Sequence, residues 1–501
     1  MTAPTLHHRL EEARQLLLAR DFVQACSRYD KLTRTFPRQA TVWLAYGNAA
    51  VHLGQREAAT GAWERAIALE PRNAELILQV GHQYQAARQP EQARACFARA
   101  AAADSQAINP RISLALMMEK QHYLREARAV VEECLAINPR DEQAHYVSAL
   151  LDRRENLFDP AERRLRELIQ SEPKHPYVRY ACRYELAQIL DRTERFDEAM
   201  KMLAEAKQLV RALADTEALL RTYDLAAERA RRFALGQPKN ILQEWAKSYP
   251  SENREAIPPL AFLGGHPRSG TTLLEQVLGA HPGVAALDEP PAFADVIEPA
   301  FRKTVEHSSA RLNVLRRSYT RALLGESGAT GTGKLLLEKN PSLTAQLPVA
   351  LRVFPDLRVL IALRDPRDVV LSCYFQNILL NPTNANFLSF DRLAKHYADL
   401  MDIWLAVREW EGFAWLETRY EDIVADVAKE GRRVTGFLGL DWDEEQIRFY
   451  QKGRQLYSPT YQDVTRPVYA RSVRRWHAYA KHLAPILPAL EPYCRKLDYS
   501  N

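Results

Sequence analysis

The chain has 501 residues, 47% hydrophobic and 26% charged, with a net charge of +5. That length suits two or three domains, and charge so nearly balanced in both halves excludes a broad basic face for nucleic acid. Six scattered cysteines with no C-x-x-C pair suit reduced thiols in a cytosol better than a disulfide scaffold or zinc site.

The opening MTAPTLHHRLEEARQLLLARD has no apolar core of leader length, and no apolar run approaches the roughly 20 residues of a membrane span. A cytoplasmic protein with no membrane partner is expected. Alanines then recur at 25, 59, 93, 127 and 161, a step of 34, each followed four positions later by Tyr29, Trp63, Phe97, Val131 or Leu165. Prolines at 37, 71, 139 and 173 keep the register, which Ser105 breaks. This is the pattern of tetratricopeptide helix pairs. The alanine admits a neighbouring helix, the bulky residue fills the groove, and the proline ends the second helix. A sixth copy, slipped by four residues, is expected around Ala199, Leu203 and Ala206. The array is assigned to residues 1–206, about six repeats, and such stacks form an α-solenoid whose groove commonly takes peptides or protein segments. A helical linker is assigned to 207–256, with the domain boundary in the polar SENREAIPP that ends in Pro258-Pro259.

From 257 to 501 short apolar strands alternate with helices, the signature of an α/β parallel sheet. Strands are expected at 260–263, 335–337, 358–363 and 413–416. The first runs into Gly265-His266-Pro267-Arg268-Ser269-Gly270-Thr271-Thr272. Strand, glycine-bounded loop and helix start present amide N–H groups and the positive end of a helix dipole to an anion. The spacing is that of a P-loop, but Thr271-Thr272 replaces the Lys-Ser/Thr that an ATPase needs, and Arg268 supplies charge from within the loop. In Leu363-Arg364-Asp365-Pro366-Arg367, with Ser372 on the following helix, two arginines and a hydroxyl suit a second phosphate. Asp365 and Asp368 could equally hold Arg367 in a structural role. Lys339 ends the third strand in Glu338-Lys339-Asn340-Pro341, and Asp288-Glu289 is an acidic pair in a loop beyond the first helix.

These motifs, in this order over residues 260–501, resemble the sulfotransferases that use 3′-phosphoadenosine 5′-phosphosulfate (PAPS). More narrowly, they resemble the tyrosylprotein sulfotransferases and the bacterial tetratricopeptide sulfotransferases. PRSGTTLLEQVLGAHPGV resembles the 5′-phosphosulfate loop, LRDPRDVVLS the 3′-phosphate motif, EKNP the lysine strand end, and SPTYQDVTRPVYARSVRRW the segment that closes over the nucleotide. The resemblance implies a P-loop-like fold and transfer of a sulfuryl group to an acceptor hydroxyl, a peptide tyrosine among the candidates, with no metal required. It implies that Arg268, Ser269, Gly270, Thr271 and Thr272 grip the 5′-phosphosulfate, that Arg364 and Ser372 hold the 3′-phosphate, and that Tyr420 lies near the nucleotide. Glu289 falls at the catalytic glutamate and Lys339 at the lysine beside the bridging oxygen, with Arg268 sharing the catalytic role. Thr460 stands where the family has a serine, Arg475 where it has a lysine, and Asp288 where it has a glutamate. His281 is expected to be structural, and His266 is left out of the chemistry. The competing readings are a P-loop kinase, which needs a lysine where Thr271 stands, and a non-catalytic repeat scaffold with a degenerate nucleotide domain.

Overall fold

The computed structural model describes the chain apart from residues 1–4, 20, 302–303, 305, 328–332, 378, 452–469 and 500–501. Residue contacts divide the chain into two compact units, Met1–Cys182 and Arg183–Asn501.

The first unit is built from paired helices. First helices begin at residues 6, 40, 74, 108 and 142, and second helices at 22, 56, 90, 124 and 158, so the 34-residue step of the sequence is the step of the structure. All five register alanines are fully buried, and Tyr29, Trp63, Phe97, Val131 and Leu165 are no more than 3% exposed. Each large residue needs a small one opposite it. A Cβ at Gly47 would sit 2.4 Å from Trp63 Nε1, and one at Gly81 2.5 Å from Phe97 Cε1. The chain is therefore a tetratricopeptide array in this region. The helix Pro176–Arg192 still begins on the step, but at 17 residues it is longer than its predecessors, and the next helix, Phe196–Arg211, starts four residues late. That extension is the slip seen around Ala199.

In the second unit the helices Phe196–Arg211, Thr216–Leu235 and Ile241–Ser248 precede a five-stranded sheet. Its strands are β1 (Leu260–Gly265), β2 (Val284–Asp288), β3 (Leu335–Lys339), β4 (Arg358–Leu363) and β5 (Ala414–Arg419). They run in the order β2-β3-β1-β4-β5, with every pairing parallel. Chain order reverses at β1, between β3 and β4, so the loop after β1 lies at the topological switch point where such sheets bind ligands. Leu263, Leu337 and Leu360 pack with Leu274, Val277 and Leu278 of the helix Thr271–Gly279 into one core cluster.

One expectation needs correction. Asp288-Glu289 does not lie in a plain loop: Asp288 ends the edge strand β2, and Glu289 follows it directly. The strand Val284-Ala285-Ala286-Leu287-Asp288 is short and carries two small alanines, so it lacks the β-branched enrichment that marks a strand in sequence. Pairing with β3 makes it one.

Candidate active site

The loop after β1 is shaped by close approach. Gly265 has φ +129°, and a Cβ there would meet Ala362 O at 2.3 Å. Gly270, φ +94°, caps the helix Thr271–Gly279, and a Cβ there would meet the Tyr420 ring at 2.6 Å. Arg268 also has positive φ, +74°, a conformation that costs a non-glycine residue about 1–3 kcal/mol and clusters at functional sites. The Ser269 hydroxyl is buried with no hydrogen-bond partner among the described residues. Thr271 and Thr272 are buried in the first turn of the helix, where backbone N–H groups have no helical acceptor.

Arg268 Nε donates to Ser372 Oγ at 3.1 Å, which brings the loop and the second motif together across 104 residues. Ser372 lies on the helix Pro366–Tyr374, capped by the Asp365 carboxylate, which accepts from Arg367 N. Arg364, 6% exposed, donates to Arg268 O at 3.1 Å and to Ser472 O at 2.5 Å, and its guanidinium lies 4.7 Å from the Tyr420 ring centre. Its Nε is buried without a partner among the described residues. Arg367 is engaged otherwise: it forks onto Asp365 at 2.9 and 2.7 Å and lies 4.0 Å over the Trp476 ring.

Lys339 ends β3 and is fully buried. Asp288 stands in the same row of the sheet, so the two side chains share a face and pair directly. Glu289 Oε1 lies 2.9 Å from Lys339 Nζ. Burial works against the ammonium, but Glu289 and Asp288 outweigh it and hold Lys339 above its usual range. Glu289 keeps its side chain 40% exposed while its φ is +52°, and its amide donates to Lys339 O at 2.7 Å. A permanent cation and a reachable carboxylate therefore meet at the carboxyl ends of two adjacent strands.

Arg475 contacts Asp191 and lies 4.2 Å over the Phe375 ring. Thr460 lies outside the described residues. His281 accepts from Gly283 N and donates to Asp441 O, so both ring nitrogens serve a turn. His266 is buried, and its Nδ1 must donate to the Pro267 carbonyl at 2.8 Å, which leaves Nε2 to accept from His396 Nδ1 at 2.7 Å. Burial favours the neutral form of both rings. Burial pushes His266 down to about 4 against the Pro267 bond. Sequence reasoning missed His396 and gave Asp368 no part of its own. Asp368 Oδ2 and Oδ1 accept from the amides of Arg474 and Trp476, each at 2.7 Å. The second acid of LRDPRD was its one visible signal. Among the described residues no cluster of His, Cys, Asp or Glu could hold a metal ion, and no helix is long and apolar enough to cross a membrane.

Residues 259–444 match the sequence model of the sulfotransferase family. An uncharacterized protein of Aquifex aeolicus is 23% identical over 398 residues, 75% of this chain, which spans about half (49%) of that relative's length. Protein-tyrosine sulfotransferase A of Caenorhabditis elegans is 23% identical over 262 residues, 48% of this chain and 67% of its own. Among solved structures, the sulfotransferase domain of the Synechococcus PCC 7002 olefin synthase is 18% identical with a TM-score of 0.32, covering 46% of this chain and 90% of that one. The chain thus joins a tetratricopeptide array to a parallel-sheet region whose residues 259–444 match the sulfotransferase family.

Proposed function

We propose that this protein transfers the sulfuryl group of PAPS to an acceptor hydroxyl, and that the acceptor is a peptide tyrosine. The observation that carries the reading is the meeting of Arg268, Ser372 and Arg364 around a glycine-bounded loop that has no P-loop lysine. The fit to a doubly phosphorylated nucleotide rests on buried donors without acceptors among the described residues, Ser269 Oγ and Arg364 Nε. A Cβ at Gly270 would clash with the Tyr420 ring, over which the Arg364 guanidinium lies. Arg268, the loop amides, Thr271 and Thr272 would hold the 5′-phosphosulfate. Arg364 and Ser372 would hold the 3′-phosphate, with Tyr420 beside them. The nucleotide supplies the sulfuryl group and a phosphate leaving group.

Arg268 and Lys339 act where negative charge grows on the departing oxygen, so they stabilise the transition state more than the bound donor. Lys339 needs no proton change for this, because Glu289 and Asp288 keep it charged. Glu289, next to that cation and open to solvent on one side, takes the acceptor proton. A phenol, with a pKa near 10, yields its proton to a carboxylate more readily than an aliphatic alcohol does, which favours tyrosine. The likeness to a protein-tyrosine sulfotransferase supports the same choice. Helical repeats, which commonly bind peptide segments, suit a protein acceptor or partner.

Calorimetric titration with 3′,5′-adenosine bisphosphate against Mg·ATP tests the reading. Metal-independent binding of the bisphosphate, weakened far more by Arg364→Ala than is binding of adenosine 5′-phosphosulfate, is the expected result. A preference for Mg·ATP would turn the reading to a kinase. Equal losses for both sulfur-pathway nucleotides would remove Arg364 from the 3′-phosphate site.

A further inference from the structure

The segment 470–482 is held from two sides by buried charge. On one side stands the nucleotide-site machinery: Arg364 donates to Ser472 O, and Asp368 accepts from the amides of Arg474 and Trp476. Arg474 has φ +58°, a strained turn that those two amide bonds fix. On the other side stands Asp191, in the last turn of the helix Pro176–Arg192 and only 6% exposed. Its Oδ1 accepts from Arg475 Nε at 3.0 Å and from Tyr479 OH at 2.7 Å, and Arg475 Nη2 lies 2.8 Å from the same oxygen. Its backbone carbonyl accepts from Arg471 at 2.9 Å. One residue of a repeat-register helix therefore gathers three side chains of the segment, 280 and more residues away. The surroundings brace the same contact. Arg475 lies over Phe375, just beyond the helix of Ser372, and Gln188 Nε2 donates to Phe375 O at 3.4 Å.

We propose that Asp191 is a positioning residue for donor binding, acting through Arg475 to hold the segment 470–482 against Arg364 and Asp368. The proposal rests on the sulfotransferase reading for its ligand, but its structural half stands apart from any ligand. A carboxylate buried with an arginine and a tyrosine cannot be traded for water, so its loss frees the segment and leaves Arg475 buried without its counter-charge. The neighbouring Asp197 is a natural comparator. It pairs with Lys481 at 2.6 Å and His482 at 2.7 Å, but its side chain is 64% exposed, and exposed pairs contribute little.

The test compares Asp191→Asn and Asp197→Asn with the wild-type chain in two measurements. Hydrogen exchange of the Arg474 and Trp476 amides, with no nucleotide present, should rise at least tenfold in Asp191→Asn and stay within about twofold in Asp197→Asn. Titration with 3′,5′-adenosine bisphosphate should show affinity weakened about tenfold in Asp191→Asn alone, with partial recovery in Asp191→Glu, which restores the charge at a different reach. Unchanged exchange overturns the proposal whatever the nucleotide does. Raised exchange with unchanged bisphosphate affinity also overturns it, leaving Asp191 a purely structural anchor. If wild-type chain binds no bisphosphate, the donor-site role falls together with the sulfotransferase reading, while the exchange data still report on the anchor. Should Asp191→Asn fail to fold, Arg475→Gln, which leaves Asp191 its Tyr479 bond, carries the same two expectations.

Discussion

Two residues of the site, Arg268 and Glu289, hold backbone conformations that favour glycine, and each is clamped by its surroundings. The Arg268 carbonyl accepts from Arg364, and the Glu289 amide donates to the Lys339 carbonyl. Such strain persists only where neighbours over-determine it, and here the neighbours are themselves candidates for the chemistry. Glu289→Gln tests the role of the carboxylate: we expect bisphosphate affinity to be retained and turnover to fall about 10²–10⁴-fold, the usual worth of a general base. Turnover within a few-fold of wild type, measured with a tyrosine peptide and PAPS, would remove Glu289 as the base. At this scale much was legible. Lys339 and Arg364 announced themselves as charged residues at the ends of apolar runs, and the structure puts them at the ends of β3 and β4, while Arg268 lies in the glycine-bounded loop that follows β1. What sequence could not show was the pairing of Lys339 with Asp288, which depends on β2 and β3 being neighbours.

At the scale of elements, the repeat is the best-specified part of the chain because one unit of 34 residues is written several times. Each helix pair buries one bulky side chain at the same register position, and Trp63 is the largest of these. It is fully buried, donates to Asn48 Oδ1 at 2.9 Å and meets the Tyr84 ring edge-on at 4.9 Å. Trp63→Ala should cost about 3–5 kcal/mol locally, the usual range for emptying such a site. Because repeats are stabilised by their nearest neighbours, hydrogen exchange should accelerate across 40–86 and remain unchanged in the strand at 260–265. A loss spread evenly over the chain would contradict that picture. The strands were less evenly legible. β1, β3 and β4 are leucine- or isoleucine-bearing apolar runs, whereas β2 carries two alanines among its five residues, and only its partner reveals it.

For the molecule as a whole, a buried acid sets a pH dependence. Glu338 precedes Lys339 on β3 and so faces the opposite side of the sheet, into a cavity lined by Phe262, Phe293, Tyr319 and Phe354. Its Oε1 has no partner among the described residues, and burial raises its pKa from 4.5 to about 8. Between those values the folded chain keeps a proton that the unfolded chain has released. This contribution to stability is present in full below about 4.5 and is lost as pH rises through about 8. Glu338→Gln, neutral at every pH, should narrow the gap in melting temperature between pH 5 and pH 9 by several degrees. An unaltered gap would mean that the acid is ionised at neutral pH.

The sequence by itself determined the two architectures and the chemistry-bearing loops, because those signals are local. A 34-residue period, a glycine spacing and an arginine at the end of an apolar run can each be read within one short stretch. The tertiary structure alone decided which of these meet. Strand order set Lys339 beside Asp288, the packing of the helix Phe390–Val407 closed His396 onto His266, and Arg475 found Asp191 across 284 residues. The physical reason is that a buried charge or ring must find its partner wherever the fold brings one within 3 Å or so, and no local pattern records that distance.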